Sequence, residues 1–278
     1  MEHPSVYITT ARSLQPLAYI CTLIAATFWT YDYICSLHEE WTFLLRSRLT
    51  KVKVLYIVTR YVPFFIVAAD LYMNFSGNED RDQCLILSNI YACLRLISLA
   101  CSECLFVLRT CALWNNNRII LIAILSTIFA IGIWLTTVAT SHVTNSVIPD
   151  ITGCHRSSGS FSFFMQFIVL LVFQLVLVSL TLVRVVQSWR SAQGPLYAIL
   201  LKHNIFYYAC GLLLSAINIL VPKLLDYSIS YFVPESLEVL ILAMLATRMH
   251  LHLWHMNRHA NGSEALVCIS MSDMSPVN

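Results

Sequence analysis

Charged side chains are scarce in this chain. Asp, Glu, Lys and Arg make up 12% of its 278 residues, whereas an ordinary soluble domain carries about 25%. A fold that must present a wet surface on every side is thereby excluded. With 58% hydrophobic residues and a mean hydropathy of +0.70, almost nothing is left over for a separate soluble domain. No cleavable leader is expected. The opening MEHPSVYITTARSLQP has no basic stretch ahead of a short apolar core and no small-residue cleavage site, so the first apolar segment is expected to be a retained span. No internal repeat of the kind found in many transporters is present, and no stretch carries a motif that compels a particular chemistry.

What the chain does contain is long apolar runs. Seven stretches of roughly 18 to 25 residues, nearly free of charge, match the length a helix needs to cross a hydrocarbon core of ~30 Å. They cover about Pro16 to Ile34, Val54 to Met73, Cys84 to Leu108, Ile119 to Ala139, Phe161 to Val183, Ile205 to Leu225 and Ser236 to Leu253. The expected fold is therefore all-α: a polytopic membrane protein with a bundle of seven transmembrane helices. Residues 1–15 form an outside segment, 16–256 the bundle, and 257–278 a polar, Ser-rich tail expected to be disordered in the cytoplasm.

Orientation follows from the basic residues, which accumulate in cytoplasmic loops. One side of the predicted membrane holds Arg12, Arg81, Arg156 and Lys223. The other holds Arg46, Arg48, Lys51, Lys53, Arg109, Arg118, Arg184, Arg190, Lys202, Arg248 and Arg258. The imbalance places the N-terminus outside and the C-terminus in the cytoplasm, in the plasma membrane or the secretory pathway. Two features agree without using charge. Asn74-Phe75-Ser76 is a glycosylation acceptor in a loop expected outside, although Asn261-Gly262-Ser263 shows that such triplets also arise by chance. Of ten cysteines, Cys84 and Cys154 alone face the outer side in this topology, so a disulfide between them is expected. The Cys101-x-x-Cys104 pair lies within an apolar helix with no second pair, which speaks against metal or redox use.

Polar groups inside the spans are where function would reside, because an intramembrane charge costs at least ~2.5 kcal/mol and needs a partner or water. Arg60 lies ~10 Å from the inner face and Glu103 ~9 Å from it at 1.5 Å per residue. These matching depths on consecutive antiparallel helices predict that the two pair. Arg95 lies ~16 Å deep, near the midplane. Asp70 and Glu238 are about one turn below the outer face, within reach of a long Arg side chain. Arg95, Asp70, Asn89 and Glu238 would line an outer cavity suited to a small polar or anionic ligand. A buried ion network with no ligand is the plain alternative. Pro63 and Pro222 are expected to kink or end their helices.

His252, His255 and His259 share one helical face through i, i+3 and i, i+4 spacing, which makes them candidate zinc ligands. The plainer reading is an interfacial run that closes the last helix, with no metal held. No cofactor is implied.

Several short motifs carry a resemblance. These are Tyr31-Asp32-Tyr33, Glu39-Glu40-Trp41, Lys53-Val54-Leu55 and Arg60-Tyr61-Val62-Pro63, followed by Leu108-Arg109-Thr110-Cys111-Ala112-Leu113-Trp114, Gly153-Cys154 and Thr247-Arg248-Met249. In these the chain resembles a family of seven-span membrane proteins from basidiomycete fungi that carry an N-terminal domain of unknown function, here about residues 16–66. It departs in reading His250-Leu251-His252-Leu253 where that family has Leu-Asn-Leu. The resemblance implies the seven-span fold and brings no activity with it.

Two functional classes stay open. One is a receptor-like sensor of a small ligand on the outer side, with basic inner loops facing a cytoplasmic partner protein. The chain lacks an acidic-Arg-Tyr triplet after span three, an Asn-Pro-x-x-Tyr in span seven and any Lys in span seven, so neither a rhodopsin-like signature nor a retinal Schiff base is present. The other is an intramembrane enzyme of the zinc-hydrolase kind, or a small-solute carrier. Membrane lipid is the one partner common to both; a nucleic-acid partner is not expected.

Overall fold

In a computed structural model of the chain the described residues are 4–46, 50–75, 81–113, 119, 122–124, 126–128, 130–132, 160–190, 195–224 and 235–272. All regular structure among them is helical: α1 (Pro4–Arg46), α2 (Lys51–Phe75), α3 (Arg81–Leu113), α4 (Ile122–Gly132), α5 (Ser160–Arg190), α6 (Pro195–Leu224) and α7 (Glu235–Ser272). Four stretches are long and apolar enough to cross a membrane: Tyr19–Arg46, Lys51–Met73, Ile86–Cys111 and Leu237–His255. Shorter apolar stretches lie at Ile122–Gly132, Phe167–Val183 and Ile205–Leu220. Helices are what a bilayer demands of such segments, since a helix satisfies its backbone groups within itself.

The helices depart from expectation at three places. The first span is expected to end near Ile34, with residues 35–53 as an inner loop, but α1 continues to Arg46. Its side chains explain why. Thr22, Ala25, Trp29, Asp32, Ser36, Glu40 and Phe43 recur every three or four residues and are buried, while Ile20, Leu23, Ile24, Phe28, Tyr31, Ile34, Leu37, Trp41 and Leu45 form the opposite, exposed stripe. Of the acidic pair in the predicted loop, Glu40 belongs to the buried face and Glu39 to the exposed one. Second, α2 runs unbroken through Pro63, whose side chain is buried. Third, α7 continues to Ser272, through the segment expected to be a disordered tail; no proline follows Met256 until Pro276.

The last helix is central. Its apolar stretch is 61% buried, against 28%, 33% and 39% for those of α1, α2 and α3. It packs against α1, α2, α3 and α6, while α2 with α3 and α5 with α6 form the other close pairs. The largest core cluster joins Leu105, Phe106 and Val107 of α3, Ile124 of α4, Leu170, Phe173 and Leu177 of α5, Tyr208 of α6, and Leu242, Ala246, Met249 and Leu253 of α7. A second cluster packs Ala25 and Trp29 of α1 against Leu240, Ala243 and Met244 of α7. Small residues at 243 and 246 let neighbouring helices approach closely, as is usual where no hydrophobic effect drives helices together in lipid.

Candidate functional site

Two buried polar clusters meet the central helix at different heights. The first is built on α1 and α2. Asp32, Ser36 and Glu40 stand at i, i+4 and i+8, so they line one face of α1, and Arg60 of α2 reaches into that line. Arg60 Nη1 meets Asp32 Oδ2 at 2.6 Å, Nη2 donates to Ser36 Oγ, and Nε forms an ion pair with Glu40 Oε1. The guanidinium is 1% exposed. It also lies over the rings of Trp29 (5.3 Å) and Tyr33 (5.4 Å), which suits its delocalised charge. Asp32 Oδ1 accepts from Arg248 Nε of α7 at 2.5 Å. Two cations thus face two carboxylates, and the charges balance.

This corrects the expected Arg60–Glu103 pair. Matching depth on consecutive helices α2 and α3 does not find these partners: Asp32 stands at the inner end of the first predicted span and Glu40 beyond it, both on α1. Their i, i+4, i+8 spacing was the signal in the sequence.

Glu103 belongs to the second cluster, which joins α3, α5, α6 and α7. Gln174 Nε2 of α5 lies 3.3 Å from Glu103 Oε1, and Gln174 Oε1 lies 3.1 Å from Ser215 Oγ of α6. Ser215 Oγ lies 2.8 Å from Glu238 Oε1 of α7, and Asn218 Nδ2 donates to Glu238 Oε2 at 2.9 Å. Glu103, Gln174, Ser215 and Glu238 are all buried. Glu103 Oε2 meets no hydrogen-bond partner among the described residues. Gly211 lies beside this chain: a methyl group there would stand 3.2 Å from Leu242 Cδ2, a tight contact, and 3.5 Å from Gln174 Nε2, an ordinary one.

The outer residues gather only in part. Arg95 interacts electrostatically with Glu238 and lies over the Tyr91 ring at 5.6 Å. Asp70 accepts from Thr22 of α1 at 3.3 Å. Asn89 is exposed. Gln174, Ser215 and Asn218 were missed in the sequence because a neutral polar residue carries no charge signal. Each nevertheless interrupts an apolar run, LLVFQLVL or LLLSAINIL.

Toward the basic end, Arg109 Nη2 of α3 donates to His250 Nδ1 of α7 at 2.7 Å. Because arginine always carries its protons, the accepting nitrogen of His250 is bare. Phe43, Tyr56 and Trp254 surround this contact, with Phe43 edge-on to the other two and to His250. Nearby, Tyr208 of α6 donates to the Phe106 carbonyl at 2.9 Å and lies 3.0 Å from Thr110 Oγ1.

His252 and His255 lie on α7 beyond this layer; the side chain of His259 lies outside the described residues. Among the described residues no group of three or more His, Cys, Asp or Glu side chains could hold a metal ion. Cys84 is disulfide-bonded, whereas Cys21, Cys35, Cys93, Cys101, Cys104, Cys111 and Cys210 are free thiols. Cys154, and Ser76 of the glycosylation triplet, lie outside the described residues.

Residues 20–65 match a Family of unknown function (DUF6533). The matched segment contains most of α1 and the first half of α2, and with them Trp29, Asp32, Ser36, Glu40 and Arg60. No curated protein and no solved structure matches the chain.

Proposed function

We propose that this chain is a seven-span, receptor-like integral membrane protein with its N-terminus outside. In this reading it senses a small polar ligand from the outer side and passes the response to a cytoplasmic partner protein through its basic inner face. The observation that carries the reading is the attachment of α7 at three heights. Glu238 is held by α6, Arg248 by Asp32 of α1, and His250 by Arg109 of α3. A ligand that drew Arg95 away from Glu238 would act on the same helix that ends at the opposite face. Such a ligand shifts the helix only by its difference in affinity between two arrangements, and a row of separate polar contacts provides discrete arrangements to choose between. The likeness of the short motifs to seven-span fungal proteins supports the same topology.

The outer bridge belongs to this proposal. Cys84 is disulfide-bonded, and Cys154 shares its side of the membrane in the proposed topology. A bridge from the outer end of α3 would hold the following outer loop over the ligand site.

Thiol labelling and glycosidase treatment of the full-length protein in sealed vesicles test the topology. Cys84 and Cys154 are expected to resist labelling until a reductant reaches the outer side, with any glycan at Asn74 on that same side. Labelling of both from the cytoplasmic side without reductant would overturn the orientation. For the ligand, small carboxylates and phosphates are screened by thermal shift. Stabilisation of the wild type that is absent in Arg95→Gln is the expected result; equal shifts in both would remove Arg95 from the site.

A further inference from the structure

The Glu103–Gln174–Ser215–Glu238 chain contains three polar contacts, and each needs one hydrogen between its two heavy atoms. Gln174 presents nitrogen to one neighbour and oxygen to the other, so its amide supplies a hydrogen to only one of its two contacts. Ser215 has a single hydroxyl hydrogen, which serves one of its two contacts. Two hydrogens therefore serve three contacts, and the third must come from a carboxyl.

The count has two solutions, related by a half-turn of the Gln174 amide. With Nε2 toward Glu103, Gln174 donates to Glu103, Ser215 donates to Gln174 Oε1, and the contact between Ser215 and Glu238 is made by a proton on Glu238. With the amide reversed, Gln174 donates to Ser215, Ser215 donates to Glu238, and the proton sits on Glu103. With neither carboxyl protonated, two acceptors face each other at hydrogen-bonding distance in a buried place, where an unmatched polar group costs about 1–3 kcal/mol.

We propose that Glu103 and Glu238 form a one-proton site, in which a single exchangeable proton is held by one carboxyl or the other according to the orientation of Gln174. Passing between the two states releases a proton from one carboxyl to water and takes one up at the other, so net charge is unchanged and no covalent bond to the amide forms. The surroundings differ at the two ends. Arg95 and the Asn218 amide face Glu238. Among the described residues Glu103 has no cation beside it; it interacts with the ionisable groups of Tyr208, Cys104 and Glu238, and its Oε2 has no partner there. The ionisable groups that α1 and α2 turn inward are engaged elsewhere: Asp32, Glu40 and Arg60 with one another and Arg248, and Asp70 with Thr22. An anion that occupied Arg95 would weaken its hold on the Glu238 charge and move the proton toward Glu238. The one-proton site itself rests on side-chain geometry and stands whether or not the receptor reading holds.

The test is infrared spectroscopy of the full-length protein in lipid nanodiscs at neutral pH, reading the carboxylic-acid C=O stretch and its shift in D2O. Wild type is compared with Glu103→Gln, Glu238→Gln and the double variant. A Gln at either position brings its own N–H, so the third contact no longer needs a carboxyl proton. Each single variant is therefore expected to lose the same one-carboxyl band, and the double variant to lose no more. If each single variant loses a different band and the double loses both, two protons are bound independently and the proposal fails. If no band is lost in either, the site holds no proton and the proposal fails equally. Replacing sodium by a bulky organic cation is expected to leave the wild-type band unchanged; a band abolished by sodium would assign the site to a metal cation instead. Should a variant fail to fold, the same band in wild type is titrated with rising pH. Loss in one step of one-carboxyl amplitude is expected, and two successive steps would overturn the proposal.

Discussion

The two buried clusters solve one problem in opposite ways. Around Arg60, two guanidinium groups face two carboxylates and two aromatic rings cover the inner cation. Around Glu103 and Glu238, two carboxyls are joined by neutral amides and a hydroxyl, with Arg95 at one end only. A cluster whose charges cancel is closed: removing any member strands another in a low-dielectric interior. A cluster with more acid than base needs a proton, and it can gain or lose one without its heavy atoms moving far. The first arrangement suits a fixed joint and the second a responsive one. The matched family segment contains the α1 and α2 members of the first, though not Arg248, and nothing of the second.

The largest effect is expected where the closed cluster is broken. Arg60→Gln leaves Asp32 with Arg248 alone and Glu40 with Ser36, and loss of one partner from a buried pair costs about 3–5 kcal/mol. Thermal unfolding in detergent should show it as a large loss of stability together with reduced abundance in membranes. Glu40→Gln in the Arg60→Gln background should then cost much less than in wild type, because the charge it would strand is already gone.

How much of this was legible beforehand depended on the kind of residue. Apolar runs announced the helices because hydrophobic length is a local property, and Arg95, Asp70 and Glu238 stood out as charges within such runs. The partners of Arg60 did not, because Asp32 stands two residues from the predicted end of the first span and Glu40 lies where a ~30 Å span is already complete. The real apolar stretch of α1 has 28 residues. At 1.5 Å each this gives about 42 Å, a length accommodated by tilt or by running into the headgroup region. The role of Gln174 was hidden for another reason: it rests on contacts with Glu103 of α3 and Ser215 of α6, and contacts between distant segments have no local signature.

Intermediate effects sharpen the second cluster. Gly211→Ala sets a methyl group 3.2 Å from Leu242 Cδ2, and overpacking of this kind costs about 1–3 kcal/mol. In a Leu242→Ala background, where that contact is gone, Gly211→Ala should cost less than in wild type, which a double-variant cycle of melting curves would read. Tyr208→Phe removes a hydroxyl held by Thr110 and the Phe106 carbonyl. It should cost about 1 kcal/mol, visible as a small drop in melting temperature and easier proteolysis near α6.

The smallest change in stability is expected for Glu103→Gln, which keeps the shape and supplies its own donor. Its melting temperature should stay close to wild type at neutral pH, and the dependence of melting on pH should flatten, because a titrating carboxyl has been removed.

The contrast between the two clusters is that between a fixed joint and a proton-dependent one. It is tested most directly by Asp32→Asn and Glu238→Gln, two substitutions that each neutralise one buried carboxylate on α1 or α7. Both variants would be unfolded side by side in the same detergent at neutral pH. The account predicts that Asp32→Asn loses several kcal/mol, in line with about 3–5 for a broken buried pair, while Glu238→Gln stays within about 1 kcal/mol of wild type, the worth of a single hydrogen bond. Equal losses, or a larger loss for Glu238→Gln, would contradict it.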